Sequence, residues 1–522
     1  MANNAIVEPE LKEKSTAPPA GIASQAGADM VASLVVFLVA LPLCMGIAIA
    51  SGVPPALGII TGIIGGIVVG SISGAPLQVS GPAAGLSVVV FETVHKLGIE
   101  ALAPILLLGG LLQLIGGWLK LGRWFRAISP AVIYGMLSGI GILIIAGQFH
   151  VMVDDKPRPS GVANLLAIPE SVWKGLVPPN GTVHHLAALI GVLTLASILL
   201  WNRFKPSKLK VLPGSLIGVV VGTVAAHLMH LPIKRVDLPA NLFESFRVPD
   251  MSLLGRMADP AVILAAVTIA VVASAETLLS AAAVDRMHNG PRANYDRELS
   301  SQGVGNALCG LFGSLPMTGV IVRSSANVNA GAKTRRSAVL HGVWLFGLVW
   351  FFPGVLMLIP TASLAAILVF TGFKLVEVHR IKRLADYGKF PVVIYAATVI
   401  GIVGKDLLTG VMIGLALTLV KLLYKATMLK VDVVQSEDGS RVDITLQGMA
   451  TFLRLPKLYE IFDRLPQNSI IHLHVENVHY IDHTCYEMLQ ASAAQRAEQG
   501  GAIEAPWEQL ANRFHLRQLQ AA

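Results

Sequence analysis

Three groups of polar residues interrupt otherwise apolar stretches of this chain. Glu276 sits in Ala273-Ser-Ala-Glu-Thr-Leu-Leu-Ser280 and is the one carboxylate between Asp259 and Asp285. Ser280 follows it by one turn, on the same helix face. A carboxylate and a hydroxyl so placed can bind Na⁺, or the carboxylate can carry H⁺; the structural alternative is that Glu276 only neutralises Arg323. Arg323 is followed by Ser324 and Ser325. A guanidinium within a bilayer is costly, and its planar fork of donors suits an oxyanion. The alternative is that Arg323 lies near an aqueous face and only sets topology. The third group is Gln78-Val-Ser-Gly-Pro-Ala-Ala-Gly85. It starts polar, turns at Gly81-Pro82 and only then becomes helical, with proline pre-set for a first helical turn.

A helix that starts partway through a membrane leaves free N–H groups and a positive dipole end at that depth, and such an end attracts anions. The stretch Val322–Gly331 is a second segment of this kind. Two broken helices in corresponding places of two halves point to a transporter binding site. The bland alternative for Gln78–Gly85 is a packing kink, since Gly and Pro are common in membrane helices.

The elements that position these groups are membrane spans. The 522 residues are 54% hydrophobic and 14% charged, against roughly a quarter charged in soluble proteins. Many apolar runs reach the ~20 residues that cross a bilayer. The three cysteines, Cys44, Cys309 and Cys485, form no CxxC pair, which argues against a metal site or disulfide framework. No nucleophile–base set favours an enzyme. The net charge of +8 resides mostly at helix ends, so it reads as topology and not as a nucleic-acid surface.

In chain order, residues 1–26 read as a cytoplasmic tail and 27–428 as a transmembrane domain with repeats at about 27–230 and 258–428. The first span is expected to be interrupted at Leu41-Pro42, and residues 150–183 to form a polar loop. Counting the two broken segments, seven elements precede the 231–257 loop and seven follow it, so the second set enters from the opposite side as an inverted repeat. Lys120, Arg123, Arg126, Lys205, Lys208, Lys210, Arg286, Arg292, Lys382 and Arg383 then fall inside, the positive-inside pattern. Both termini are expected in the cytoplasm and the spans in the inner membrane. Residues 429–522 read as a small α/β domain, with strands around an Asp-Gly turn at 438–439 and a last helix over 509–519.

Several stretches together resemble the sulfate permease (SulP) family of anion transporters: Leu41-Pro42 followed by Ala50-Ser-Gly-Val-Pro-Pro55, Val79-Ser-Gly-Pro-Ala83, the span around Glu276, and Arg323-Ser-Ser-Ala-Asn327 with Ala330-Gly-Ala-Lys-Thr334. The last domain resembles that family's STAS domain. The resemblance implies fourteen transmembrane segments in two inverted repeats, a core domain moving against a gate domain, an anion held between facing half-helices, and often a homodimer. It places Ser80, Gly81, Ala83 and Ala84 at the first half-helix, and Arg323, Ser324 and Ser325 at the second. It places Glu276 and Ser280 at the coupling-ion site, and Thr484, beside Asp482, at a phosphorylatable position. The chain departs from the pattern after Pro42, where Leu43 replaces a polar substrate-facing residue.

These readings converge on a secondary active transporter of a small inorganic anion. Arg323 and two dipoles favour doubly charged sulfate, driven by H⁺ or Na⁺, with no cofactor beyond a bound Na⁺. A Na⁺-dependent bicarbonate carrier is the first alternative. A nucleobase–proton symporter is the second, though it should want more polar groups than Glu276 and Gln78 aimed at the site.

Overall fold

The computed structural model describes the chain except residues 1–21, 124–128, 159, 178–181, 207–208, 210–211, 240–241, 247, 377, 427, 437–438 and 514–522. Arg126, Lys208, Lys210, Asp438, most of the N-terminal tail and the end of the expected last helix lie outside the described residues. The chain divides into two units, Met1–Gly414 and Leu415–Ala522.

The first unit begins with α1 (Ile22–Ala50), α2 (Pro55–Ile64), a π-helical turn (Gly65–Val69) and α3 (Gly70–Ile72). It continues with β1 (Ser80–Pro82), α4 (Ala84–Leu97), α5 (Leu102–Trp118), α6 (Pro130–Met152), α7 (Gly161–Leu176), α8 (His184–Phe204) and α9 (Gly214–Leu228). After the short α10 (Met251–Gly255) come α11 (Pro260–Asp285), α12 (Tyr295–Leu311), β2 (Met317–Gly319), α13 (Ile321–Asn329) and α14 (Arg336–Phe351). Then follow α15 (Pro353–Leu356), α16 (Thr361–Leu375), α17 (Val378–Asp386), α18 (Lys389–Gly404) and α19 (Leu407–Ala426), which runs across the boundary into the second unit. Among the described residues, seven helices are long and apolar enough to cross a membrane, and four shorter helices are also apolar.

Sequence chemistry explains the starts. Proline occupies the first turn of α2, α6 and α11, where its missing N–H costs nothing. The Asp259 carboxylate accepts the Ala261 N–H at 2.9 Å to cap α11. Two expectations change. Pro42 does not interrupt the first span but sits inside the continuous α1, as proline can within a buried membrane helix. Residues 150–183 are not merely a loop: Ser160 accepts the Ala163 N–H at 3.2 Å and caps α7. That helix has apolar and polar faces, which a search for apolar runs overlooks.

Helices pack backbone to backbone through small residues. A Cβ at Gly110 of α5 would stand 2.6 Å from the Gly303 carbonyl of α12, and one at Gly141 of α6 would stand 2.7 Å from the Gly372 carbonyl of α16.

In the second unit the strands β3 (Leu429–Gln435), β4 (Arg441–Ala450), β5 (Ile470–Ile481) and β6 (Ala502–Glu504) form one sheet in that order. The first pair is antiparallel, the other two parallel. Val442, Ile444, Ile471 and Leu473 point to one face and are buried with Leu458, Tyr486 and Leu489. These last three come from α20 (Leu455–Asp463) and α21 (His483–Glu498); α22 (Trp507–Arg513) follows.

Candidate functional site

The two broken segments meet. β1 and β2 pair antiparallel, with Ser80 opposite Gly319, Gly81 opposite Thr318 and Pro82 opposite Met317. Each strand leads directly into a helix, α4 after Ala83 and α13 after Val320. A two-stranded element buried among membrane helices must find every backbone partner within the protein. Asn306 supplies two of them, accepting the Met317 N–H at 2.8 Å and donating to the Met317 carbonyl at 3.2 Å. Thr277 accepts the Gly319 N–H at 3.0 Å, and Gln78 donates back to the Thr277 carbonyl at 2.9 Å. These bonds lock the strand pair to α11 and α12.

A cavity of about 810 Å³ lies at the start of both half-helices. Ala84 and Gly85 line it from α4, Val320, Ile321 and Val322 from α13, and Glu276 and Ser280 from α11. Leu43 of α1 completes the apolar side. From there it runs to Asp285, Arg286, Arg292 and Arg383, of which the three arginines are exposed. Glu276 Oε2 is buried with no hydrogen-bond partner among the described residues. Gly85 is what lets the carboxylate approach: a Cβ there would stand 2.8 Å from Oε1.

Leu43, Ala84, Glu276 and Ser280 therefore share one cavity. The other expected site residues have different places. Arg323 is fully buried and does not line the cavity. Its Nη2 donates to the Pro82 carbonyl at 3.3 Å, and the guanidinium fills the space a Gly81 side chain would occupy. Glu276 Oε2 and Arg323 Nε and Nη1 have no hydrogen-bond partner among the described residues, so these atoms do not pair with one another. Ser80 accepts from Gln302 at 2.6 Å, and Ser324 accepts the Val79 N–H at 2.9 Å while donating to the Val320 carbonyl at 2.7 Å. Ser80 thus fastens β1 to α12, and Ser324 ties α13 to the residue before β1. Ala83 is the buried residue preceding α4. Ser325 donates to Val322 at 3.0 Å and faces a neighbouring cavity. Thr484 stands, half-buried, in the first turn of α21 next to Asp482, whose carboxylate accepts the Cys485 N–H at 2.8 Å.

Reading the sequence missed Tyr134 and Thr371 as cavity residues. Tyr134 follows Pro130 by one turn at the start of a span, which was the available signal. Arg286, Arg292 and Arg383 were legible as topology charges but not as a cavity mouth.

The sequence profile of the sulfate permease family matches residues 27–398. The chain belongs to the sulfate permease family. It is 30% identical over 410 residues to YvdB of Bacillus subtilis, a protein carried under a provisional sulfate-transporter name, covering 75% of this chain and 72% of that one. It is 24% identical over 433 residues to the bicarbonate transporter BicA of Picosynechococcus, covering 80% and 74%. The fold matches murine SLC26A9, an anion transporter in an inward-facing state, with a TM-score of 0.75, 14% identity, and coverage of 98% and 96%. The fold is that of the family's polytopic membrane transporters, and the chain is a membrane transporter of anions, not an enzyme. Family membership sets aside the nucleobase reading.

Proposed function

We propose that this family member is a secondary active transporter that binds a small inorganic oxyanion, foremost sulfate, at the paired starts of α4 and α13, and couples its movement to H⁺ or Na⁺ at Glu276. The observation that carries the reading is the location of Glu276 in the same cavity as both helix starts. Two positive dipole ends draw an anion there. An ionised Glu276 beside it would repel that anion and remain unpaired and buried, which is costly. Neutralisation of Glu276 by a cation removes both penalties, so anion and cation binding favour one another. Ser280 supplies a neighbouring hydroxyl oxygen when the cation is Na⁺.

The cavity leads to the arginines that charge placement assigns to the cytoplasm, an inward-facing arrangement with both termini inside. The second unit serves as a STAS-like regulatory module, with Thr484 as its modifiable residue, and the transporter works as a homodimer. A Na⁺-dependent bicarbonate carrier is the second reading. The cavity lining favours it, because Arg323 is not among the lining residues and a singly charged ion needs less compensation there, whereas the field of Arg323 still favours the doubly charged ion.

The test is uptake of labelled sulfate and bicarbonate into proteoliposomes under imposed H⁺ or Na⁺ gradients. Gradient-driven sulfate uptake is expected. Uptake of bicarbonate alone under a Na⁺ gradient moves the protein to the second reading, and uptake of neither ion overturns both.

A further inference from the structure

A small chamber of about 40 Å³ lies among α1, α4, α6 and the start of α7, with room for roughly three waters. The helices α1, α4 and α6 also line the Glu276 cavity. Ile47 of α1 and Leu137 of α6 face that cavity, whereas Ala50 and Leu143, one to two turns further along, face the chamber. Buried Ile140 stands between the two leucines on α6. Cavity and chamber are thus successive openings along one seam, parted by a thin apolar barrier. The chamber is the opening away from the arginine mouth, so charge placement puts it on the external side.

Gln148 of α6 lines the chamber, is only 4% exposed, and its Oε1 has no hydrogen-bond partner among the described residues. A buried acceptor left unpaired costs ~1–3 kcal/mol, which a bound cation or donor removes. Glu92 of α4 lines the same chamber. It follows Gly85 by seven residues, about 10 Å along the same helix face, and Gly85 is where the Glu276 carboxylate rests. Two carboxylates therefore stand along one face of α4, on either side of the barrier. The cations near Glu92 leave it available. Lys96 is 3.7 Å away and mostly exposed, and Arg158 is held by Glu170 at 3.2 Å and Asp155 at 3.7 Å. Asp406, between α18 and α19, is the other acid acting on Glu92, and His150 of α6 is bonded to Ser171 and the Asn164 carbonyl instead.

We propose that Glu92 and Gln148 form an outer loading site for the coupling cation, distinct from Glu276. The proposal rests on the cation-coupled reading above and adds the place where the cation leaves external water. A carboxylate oxygen, an amide oxygen and the chamber waters make an all-oxygen set, the kind that hard cations take. Na⁺ binds such a set directly, and an excess proton is held by the same waters and accepted by Glu92. Opening of the barrier at Ile47 and Ile140 then delivers the cation along α4 to Glu276.

Full-length protein in proteoliposomes is given whichever labelled anion, sulfate or bicarbonate, the wild type carries. Initial uptake rates are measured against external Na⁺ at fixed pH, and against external pH without Na⁺. Glu92→Gln and Gln148→Leu are each expected to raise the half-saturating cation concentration about tenfold, with the maximal rate nearly kept. For H⁺ that is about one pH unit to the acid side. Glu92→Asp should restore most of the affinity, and Lys96→Gln, which removes a competing cation, should shift it the opposite way. The series that shifts, Na⁺ or H⁺, names the cation. Gradient-driven wild-type uptake with unshifted half-saturation in both variants overturns the loading site and leaves the coupling reading standing. A lowered maximal rate and unfolding midpoint with half-saturation unchanged marks both residues as packing and overturns it too. Wild-type uptake indifferent to both cations overturns the coupling reading, and the loading site with it.

Discussion

The carboxylate of Glu276 lies against the bare Cα of Gly85, so that a Cβ at position 85 would stand 2.8 Å from Oε1 and 2.9 Å from Oε2. The atoms it would strike are the far end of a flexible side chain. The chain can therefore accept the methyl by moving the carboxylate, at a cost below the ~1–3 kcal/mol of ordinary overpacking. Gly85→Ala is expected to unfold close to the wild-type temperature yet lose most gradient-driven uptake. A variant that unfolds early, or transports normally, would contradict this account of the pair.

Glu276→Gln keeps the shape and removes the exchangeable charge. Anion binding should then no longer depend on the coupling cation. Coupling between two ligands is commonly worth about 5- to 150-fold in affinity, and that dependence should vanish while residual, downhill exchange survives. Anion affinity measured with and without the cation checks it.

Arg323 does not line the cavity; it braces the strand pair through the Pro82 carbonyl and reaches a bound anion through its field. Arg323→Gln should reduce binding by on the order of 1–2 kcal/mol per unit of ligand charge at an effective dielectric near 20. Sulfate should therefore lose more than bicarbonate in a competition assay, and equal losses would sink the electrostatic argument.

Asn306→Ala strips both partners from Met317. An unpaired buried backbone group costs ~1–3 kcal/mol, so the strand pair should loosen and the unfolding temperature fall by several degrees. Gly65 tests the same pair from the other side, because a Cβ there would stand 2.6 Å from the Ser80 carbonyl oxygen. Backbone cannot yield as a side-chain tip can, and Gly65→Ala should be more destabilising than Gly85→Ala.

The segment between α6 and α8 carries a pH dependence of its own. Lys174 contacts Asp155 at 3.2 Å and Glu170 at 2.7 Å, and Arg158 contacts Glu170 at 3.2 Å. Burial pushes the Asp155 carboxyl up, but the Lys156 amide and the Lys174 and Arg158 cations outweigh it and hold it below its ordinary range. A depressed carboxyl stabilises the fold above the unfolded value, about 4, and that contribution is lost as pH falls through the folded value. Lys174→Ala should cost ~1 kcal/mol or less near neutral pH, with the difference from wild type shrinking below pH 4 in a pH series of unfolding midpoints.

Much of this molecule is decided by local chemistry, which a sequence displays directly. Apolar run length marks the spans, and Gly81-Pro82 marks where a helix starts late. Glu276 and Ser280 share a helix face by spacing alone, and both line the cavity. What only tertiary structure decided is which way the polar side chains of the two half-helices point. β1 pairs with β2 from the other half of the chain, and that pairing turns Arg323, Ser80 and Ser324 into braces of the strand pair. Residue type says that a guanidinium or hydroxyl at a helix start can meet an anion. Only the pairing of distant strands determines whether it faces the cavity or the packed core, because that choice depends on contacts with no periodic trace in the sequence.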